Sequence, residues 1–240
     1  MTLEPVGVIG AMSEEVARLR AALADPVDLA AGPFNVYQGR LDGVLVLLAE
    51  CGVGKVNAAA LTQLLIDRGV RSVVFTGVAG ALDTRLEVGD VVISSDAVQY
   101  DVDVTALDYR PGEVPGSGLA FAADDRLVEL ARAASEELDA VSTFVGRIAS
   151  GDHFVASSEL AGDIRERFDA LCAEMEGAAC AQVCSGWAVP FVIVRSISDS
   201  ANHSAQVDFR AFTAAAAERA EEIVRGVLRG IGSLAVGRTV

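Results

Sequence analysis

Basic side chains are scarce in this sequence. The 240 residues include 34 Asp and Glu against 19 Lys and Arg, which gives a formal net charge of −15, and Lys55 is the single lysine. Because such a field repels phosphate backbones, nucleic acid is not expected as a partner. Schiff-base chemistry would depend on Lys55 alone, with no second cationic group to activate it.

Histidine and cysteine are also few. The two histidines, His153 and His203, have no partner carboxylate at a recognisable spacing, so we expect structural or loop roles for both. The four cysteines show no C-x-x-C spacing, and a zinc site therefore finds no support. These thiols are typical of small buried residues in a reducing cytoplasm.

Long hydrophobic runs are missing as well. No apolar stretch approaches the ~20 residues of a membrane-spanning helix, and the N-terminal MTLEPVGVIGAM lacks the basic segment of a signal peptide. We therefore expect a cytoplasmic protein without a membrane partner. Apolar residues make up 52% and charged residues 22%, which favours one well-filled domain over residues 1–240.

Apolar runs rich in β-branched residues alternate with stretches of helical period. The predicted strands are Val6–Ile9, Phe34–Tyr37, Val44–Ala49, Ser72–Phe75, Asp90–Ile93, Thr143–Ala149 and Pro190–Ser196. The predicted helices are Glu14–Leu23, Val56–Asp67, Asp125–Leu138, Glu159–Phe168, Gly177–Trp187 and Phe209–Leu228. Several strands are apolar on both faces, and an early hairpin makes the sheet mixed, so the pattern indicates a largely parallel α/β sandwich.

Five predicted strands end in glycine, small hydroxyl or acidic residues. The segments at these ends are GAMSEE, ECGVGK, TGVAGAL, SGDHF and ISDSAN. Sites in open α/β sheets form outside the carboxyl ends of strands, so the five are candidates for one shared pocket. The CGVGK segment fits neither a Walker A motif nor a dinucleotide fingerprint. Gly52 and Gly54 are explained by a tight turn into the next helix.

Each acidic residue at these ends has two interpretations. Ser13 would cap a helix with Glu15 in its first turn, or Glu15 would point back at the strand ends as a base. Glu176 would serve as a helix N-cap, or would bind a vicinal diol of a sugar. Asp199 would form an Asx-turn, or would hold a proton near neutral pH because apolar surroundings raise its pKa. Phe154 would be core or would stand at the pocket lip.

The segments together resemble a known family. VGVIGAMSEEV, ECGVGKVNAA, TGVAGAL, VGDVVIS, YDVDVTALDY, SGDHF, EMEGAA and VPFVIVRSISD, in this order from Val6 to about Ala217, are similar to 5′-methylthioadenosine/S-adenosylhomocysteine nucleosidases of the purine nucleoside phosphorylase superfamily. The resemblance implies a three-layer α/β/α sandwich around a twisted, mixed, mostly parallel sheet. It also implies a homodimer that hydrolyses the N-glycosidic bond of 5′-thio-substituted adenosines without metal or cofactor.

The resemblance further assigns roles to residues of the reaction centre. Asp199 is similar to the general acid that serves purine N7, and Ser198 to the residue whose hydroxyl orients it. Glu15 resembles the residue that activates the attacking water. Arg195 resembles the group that supports the water site.

Substrate contacts follow from the same resemblance. Glu176 and Met175 correspond to the ribose-binding pair, Phe154 to the ring that stacks on adenine, and Val155 to the residue whose backbone reads the base edge. Further expected contacts are Met12, Val78 and Phe209, together with Val104 and Leu107 reaching the neighbouring subunit's 5′ pocket.

Two positions depart from the common pattern, and three rival functions stay open. Val78 stands where many members have serine, and Leu107 where an aromatic residue is common. The rivals are a futalosine-type or aminodeoxyfutalosine hydrolase on the same fold, a phosphate-dependent nucleoside phosphorylase, and a non-catalytic purine sensor. The acids of GAMSEE argue against a phosphate site.

Overall fold

The chain forms a large mixed β-sheet with helices on both faces. These features come from a computed structural model that describes residues 4–139, 141–202 and 205–236. Within those ranges the side chains at positions 30, 206–211, 213, 214, 217, 235 and 236 are not described. The predicted loop residue His203 lies outside the described residues.

Strands and helices alternate along most of the chain. The strands are β1 (Val6–Gly10), β2 (Ala24–Ala31), β3 (Phe34–Leu41), β4 (Val44–Glu50), β5 (Ser72–Ala81), β6 (Val91–Gln99), β7 (Ala120–Ala122), β8 (Thr143–Ser150), β9 (Ala170–Glu174) and β10 (Phe191–Asp199). The helices are α1 (Ser13–Ala21), α2 (Lys55–Asp67), α3 (Asp125–Glu136), α4 (Ser158–Phe168), α5 (Gly177–Gly186) and α6 (Ala205–Val236). A short 3₁₀ turn covers Thr105–Leu107.

Every predicted strand and helix is present, and three further strands were not predicted. β2 contains Pro26 and two aspartates, which are depleted in strands, and it pairs only with β3 at the sheet edge. β7 has three residues, and β9 is a five-residue segment that reads ALCAE. Several predicted strands also end too early, since β5 extends to Ala81 and β10 to Asp199.

The sheet closes on itself at one end. Its central part pairs β4, β1, β5 and β10 in parallel, and β3 and β2 continue it in antiparallel fashion. Beyond β10 the pairing runs through β6, β8 and β9 and returns to the far end of β5. These five strands therefore form a ring of pairings, which brings the carboxyl ends of β5, β8, β9 and β10 together.

Two cores lie on opposite faces of the sheet and make the architecture three-layered. Side chains alternate between them along each central strand: Phe75 and Ile193 lie in the core beneath α2 and α5, whereas Val74 and Val194 lie in the core beneath α1, α3 and α6. The predicted α/β/α sandwich is confirmed. None of the helices in the described ranges is long and apolar enough to cross a membrane.

Candidate active site

A cavity of about 250 Å³ opens at the carboxyl ends of the strands. All five of the predicted strand ends contribute to it, and β9 adds a sixth. The lining residues are Ala11, Met12, Glu15, Val53, Val78, Ala79, Gly80, His153, Phe154, Val155, Ala173, Glu174, Met175, Glu176, Ser198 and Asp199. Among the described residues no group of three or more His, Cys, Asp or Glu side chains is arranged to hold a metal ion.

Glu15 points away from solvent into this cavity. Its Oε2 accepts hydrogen bonds from the backbone N–H groups of Ala11 (2.6 Å) and Met12 (2.9 Å), and its Oε1 accepts one from Val78 N–H (3.1 Å). The predicted N-cap Ser13 is wrong. Met12 occupies the N-cap position and Ser13 is the first residue of the helix, while the Glu15 carboxylate at N3 reaches back to the N–H of Met12.

Arg195 lies beneath the cavity floor and faces Glu15 across Gly77. A Cβ on Gly77 would lie 2.5 Å from Arg195 Nη1 and 2.7 Å from Glu15 Oε1, so only glycine leaves room for both groups. Burial raises the pKa of Glu15, while the Arg195 charge and the three backbone N–H donors pull it down. The guanidinium itself packs 4.5 Å above the ring of Phe75.

Glu174 neutralises Arg195 and anchors the start of α5. Both side chains are almost fully buried, and they form a salt bridge in which Arg195 Nε lies 3.1 Å from Glu174 Oε2. The same carboxylate accepts hydrogen bonds from Gly177 N–H (2.8 Å) and from the hydroxyl of Ser150. Glu174 also lines the cavity, but its carboxylate is engaged with protein groups, unlike that of Glu176 two residues later, which has a single hydrogen bond described below.

Glu176 occupies the N-cap position of α5, but its side chain makes no capping hydrogen bond. Its Oε1 accepts a hydrogen bond from Gly54 N–H at 2.8 Å instead. Burial and the Glu174 charge raise the pKa of Glu176 to about 7, and Arg195 opposes the rise. Gly54 has φ 103°, so the glycines of CGVGK do form the expected turn, and that turn also holds Glu176.

Asp199 is the last residue of β10 and is buried. The Ser198 hydroxyl donates to its Oδ2 (2.8 Å), and Ala201 N–H donates to its Oδ1 (2.8 Å). The second contact is the predicted Asx-turn, yet the carboxyl group also lines the cavity. A register shift between Ile197 and Asp199 breaks the regular pairing of β10 with β5 and turns the carboxyl group into the cavity end.

The loop after β8 supplies the cavity mouth. Phe154 is 47% exposed and stands at the lip, and Val155 is buried behind it. His153 also lines the cavity, so its assignment as a structural or loop residue without a site role is incomplete. Its position directly before Phe154 in SGDHF was the signal that could have found it.

Three predicted site residues do not line the cavity of this chain. Arg195 lies behind the floor, as described above. Val104 and Leu107 lie at the 3₁₀ turn after β6, where Leu107 is 69% exposed. Phe209 belongs to α6, but its side chain is outside the part of the chain that the structure describes.

Several lining residues carried no individual signal in the sequence, although all of them except Ala173 lie in the predicted strand-end segments. Ala11, Ala79, Gly80 and Ala173 contribute backbone and small side chains, whose exposure to a ligand depends on the strand ends meeting in space. Val53 lies within the strand-end segment ECGVGK, whose two glycines were interpreted as a tight turn. Composition and spacing could not separate these residues from core.

Comparisons with known proteins agree with this geometry. The profile of the phosphorylase superfamily matches residues 5–229. A 5′-methylthioadenosine/S-adenosylhomocysteine nucleosidase of Geobacillus thermodenitrificans is 44% identical over 230 residues, which cover 95% of this chain and 98% of the relative.

Two solved structures show the same fold. The Neisseria meningitidis 5′-methylthioadenosine/S-adenosylhomocysteine nucleosidase in complex with methylthio-immucillin-A superposes with a TM-score of 0.91 at 40% identity, covering 95% of this chain and 100% of the other. A Helicobacter pylori futalosine hydrolase superposes with a TM-score of 0.89 at 32% identity, covering 94% and 97%.

Proposed function

The chain belongs to the 5′-methylthioadenosine/S-adenosylhomocysteine nucleosidase family of the phosphorylase superfamily, a family of N-glycosyl hydrolases, and on that basis we propose that Asp199, Glu15 and Glu176 cleave 5′-thio-substituted adenosines to adenine and the thioribose. The observation that carries this proposal is the meeting of these three carboxyl groups in one cavity. The expected substrates are 5′-methylthioadenosine, S-adenosylhomocysteine and 5′-deoxyadenosine.

Asp199 acts as the general acid. Adenine is a poor leaving group as an anion, and protonation of N7 while the C–N bond breaks allows it to depart neutral. The hydroxyl of Ser198 and the N–H of Ala201 hold the Asp199 carboxyl group at the cavity wall, where it can reach N7 of a bound purine. Such a transfer typically contributes about 10²–10⁴-fold to the rate.

Glu15 activates the attacking water. As the bond to adenine breaks, positive charge grows on the ribose, the water oxygen bonds to the anomeric carbon, and the water proton passes to the Glu15 carboxylate. The N–H groups of Ala11, Met12 and Val78 hold that carboxylate in place. Arg195 favours its ionised form through its charge. Ionised Glu15 and Glu176 also stabilise the cationic sugar electrostatically.

The remaining lining residues bind the substrate. Glu176 accepts hydrogen bonds from the ribose hydroxyls beside Met175, and Phe154 stacks on adenine while the backbone of Val155 reads its edge. The expected contacts to the 5′ substituent are Met12, Val78 and Phe209, with Val104 and Leu107 of the second subunit.

The proposal extends to the domain organisation, the oligomeric state and the cellular role of the protein. Residues 1–240 act as one nucleosidase domain, as a cytoplasmic homodimer in nucleoside catabolism and methionine salvage, without cofactor, nucleic acid or membrane. The match to the family over 95% of the chain supports the single domain. The exposed Leu107 supports a subunit contact at the 3₁₀ turn.

A second candidate is hydrolysis of futalosine-type nucleosides, including aminodeoxyfutalosine. The similarity to the futalosine hydrolase of Helicobacter pylori favours it, because that protein has the same fold at 32% identity. A phosphate-dependent phosphorylase is disfavoured, since four carboxyl groups line the cavity and the arginine behind its floor is already paired with Glu174. A sensor without activity would have no need of all three reactive carboxyl groups.

The test is base release from a panel of nucleosides in phosphate-free buffer, followed by chromatography. We expect adenine from 5′-methylthioadenosine without phosphate, and a loss of at least about 10²-fold in kcat for Asp199→Asn with binding retained. Asp42→Asn serves as the control, because Asp42 pairs with Arg225 away from the cavity. Near wild-type turnover in Asp199→Asn would remove the acid role, and release that depends on phosphate would replace the hydrolase by a phosphorylase.

A further inference from the structure

A polar network of Lys55, Asp101 and Asp152 lies beside the cavity, and the reaction proposed above does not use it. Lys55 Nζ lies 2.5 Å from Asp101 Oδ1. The other oxygen of Asp101 accepts a hydrogen bond from Asp152 N–H (2.9 Å), and Asp152 Oδ1 accepts one from Lys55 N–H (3.2 Å). The three residues thus form a closed cycle, which we call the Lys55 network.

The Lys55 network joins two segments that each deliver a substrate contact. On one side, Lys55 is the first residue of α2 and follows Gly54, whose N–H holds the Glu176 carboxylate at 2.8 Å. On the other side, Asp152 directly precedes His153 and Phe154 at the cavity mouth. The network therefore connects residues 54–55, which hold the expected ribose-binding Glu176, to residues 152–154, which carry the expected base contact.

Tyr100 supports the same loop from below. A Cβ on Gly151 would lie 2.4 Å from the Tyr100 ring, so the loop passes directly over that ring. The Tyr100 hydroxyl donates to the His153 carbonyl at 3.4 Å, a long contact. The loop is thus held by Tyr100 on one side and by the Asp101 carboxylate, which Lys55 holds in turn, on the other.

We propose that Lys55 and Asp101 are positioning residues for substrate binding. Their ion pair sets the distance between Glu176 and the loop of Phe154, and so fixes ribose and adenine relative to each other. The inference rests on the proposed roles of Glu176 and Phe154. Neither Lys55 nor Asp101 lines the cavity, so their effect passes through Gly54 and Asp152.

Breaking the pair has two expected effects. The side chains are 14% and 19% exposed, so the pair is largely buried, and removing one partner lowers the melting temperature. The control pair of Asp42, described below, is chosen to match that loss. The effect specific to the Lys55 network is weaker substrate binding, because the contact between the Gly54 and Asp152 segments no longer fixes Glu176 relative to Phe154.

The experiment compares Lys55→Met, Asp101→Asn and the double variant with the wild type and with Asp42→Asn. Asp42 forms an ion pair with Arg225 at 2.8 Å, is 17% exposed and lies away from the cavity, so it is a matched control. The readouts are kcat and KM for 5′-methylthioadenosine, the melting temperature, and the Kd of adenine alone by calorimetry. Adenine is a probe of the base-binding loop that needs no catalysis.

We expect each single variant to raise KM and the adenine Kd about tenfold, equal to about 1.4 kcal/mol, with kcat within about threefold of wild type. The double variant should lose no more than either single variant, because both remove one shared interaction. Lys55→Arg should restore most of the adenine affinity. The control should match the wild type in every binding readout.

Two results would overturn the inference. One is an unchanged adenine Kd in both single variants. The other is additive losses in the double variant, which would mean that the two residues act separately. Failure of the proposed function is recognised independently, because the wild type and Asp42→Asn would then release no adenine from 5′-methylthioadenosine.

Discussion

A methyl group on Gly77 would collide with two buried charged groups at once. The Cβ of Gly77→Ala would lie 2.5 Å from Arg195 Nη1 and 2.7 Å from Glu15 Oε1, whereas ordinary van der Waals contact begins at 3.4 Å. Unless the strand moves, the guanidinium must therefore retreat by about 0.9 Å and the carboxylate by about 0.7 Å. Neither group has free space, since Glu174 holds Arg195 and three N–H groups hold Glu15.

The displacement is large enough to cost activity more than stability. A shift of about 1 Å in a reacting group can lower the rate about 10²-fold, so we expect kcat/KM for 5′-methylthioadenosine to fall by that order. Overpacking by one methyl group typically costs about 1–3 kcal/mol of unfolding free energy. For a chain of this size that lowers the melting temperature by roughly 2–10 °C, which leaves the protein folded at 25 °C.

The control variant Gly146→Ala separates the loss of activity from the loss of stability. A Cβ at Gly146 would lie 2.5 Å from Leu171 Cδ1, the same closeness as at Gly77, but against an apolar side chain outside the cavity. Both variants are assayed for adenine release and for thermal unfolding under the same conditions. If Gly77→Ala keeps more than half of the wild-type kcat/KM, or if Gly146→Ala loses as much as Gly77→Ala does, the reasoning about Glu15 and Arg195 fails.

Two further predictions concern single residues of the cavity. Burial raises the pKa of Glu176 from 4.5 to about 7, so the folded protein binds this proton more tightly than the unfolded chain does. The stability that the proton contributes is fully present below pH 4.5 and is lost as the pH rises through about 7. Glu176→Gln cannot lose this proton, so the melting temperature of the variant should rise relative to that of the wild type between about pH 5 and pH 8. A difference in melting temperature that does not change with pH would contradict the raised pKa. Phe154→Ala should raise KM at least about fivefold, because stacking of a base on an aromatic ring is worth roughly 1–3 kcal/mol, while the melting temperature of this half-exposed position stays unchanged. A KM within about twofold of wild type would rule out the stacking role.

The strand that carries Asp199 shows how far the sequence alone reaches. Four consecutive apolar residues from Phe191 predict a strand buried on both faces, and the rule that sites lie beyond strand ends places Asp199 near a pocket. The pattern ended the strand at Ser196, three residues early. Arg195 and Asp199 are polar, and only burial of both with partners makes them acceptable inside a strand.

The closure of the strand ring could not be predicted from the sequence. It depends on the last residues of β5, Gly80 and Ala81, which pair antiparallel with β9. Alanine and glycine carry no strand preference, and β9 reads as a helix fragment. The pairing of such segments depends on tertiary contacts, which the local periodicity of the sequence does not indicate.

The role of Glu15 could not be decided from the sequence. Acidic residues in a first helical turn are common, and the spacing of GAMSEE fits an exposed helix start as well as a base. The distinction lies in the backbone of Ala11 and Met12, whose N–H groups draw the carboxylate inward. The role of Glu174 could not be predicted either, because its partner Arg195 lies 21 residues away in the chain.

The backbone donors around the cavity have a consequence for which nucleophile can enter. The N–H groups of Ala11, Met12 and Val78 are occupied by Glu15, that of Gly54 by Glu176, and that of Gly177 by Glu174. Clustered N–H groups of this kind are what an oxyanion needs for binding. Here the protein fills these five N–H groups with its own carboxylates, so they are not available to an incoming phosphate and the carboxylates disfavour its charge, while a neutral water molecule meets no such barrier.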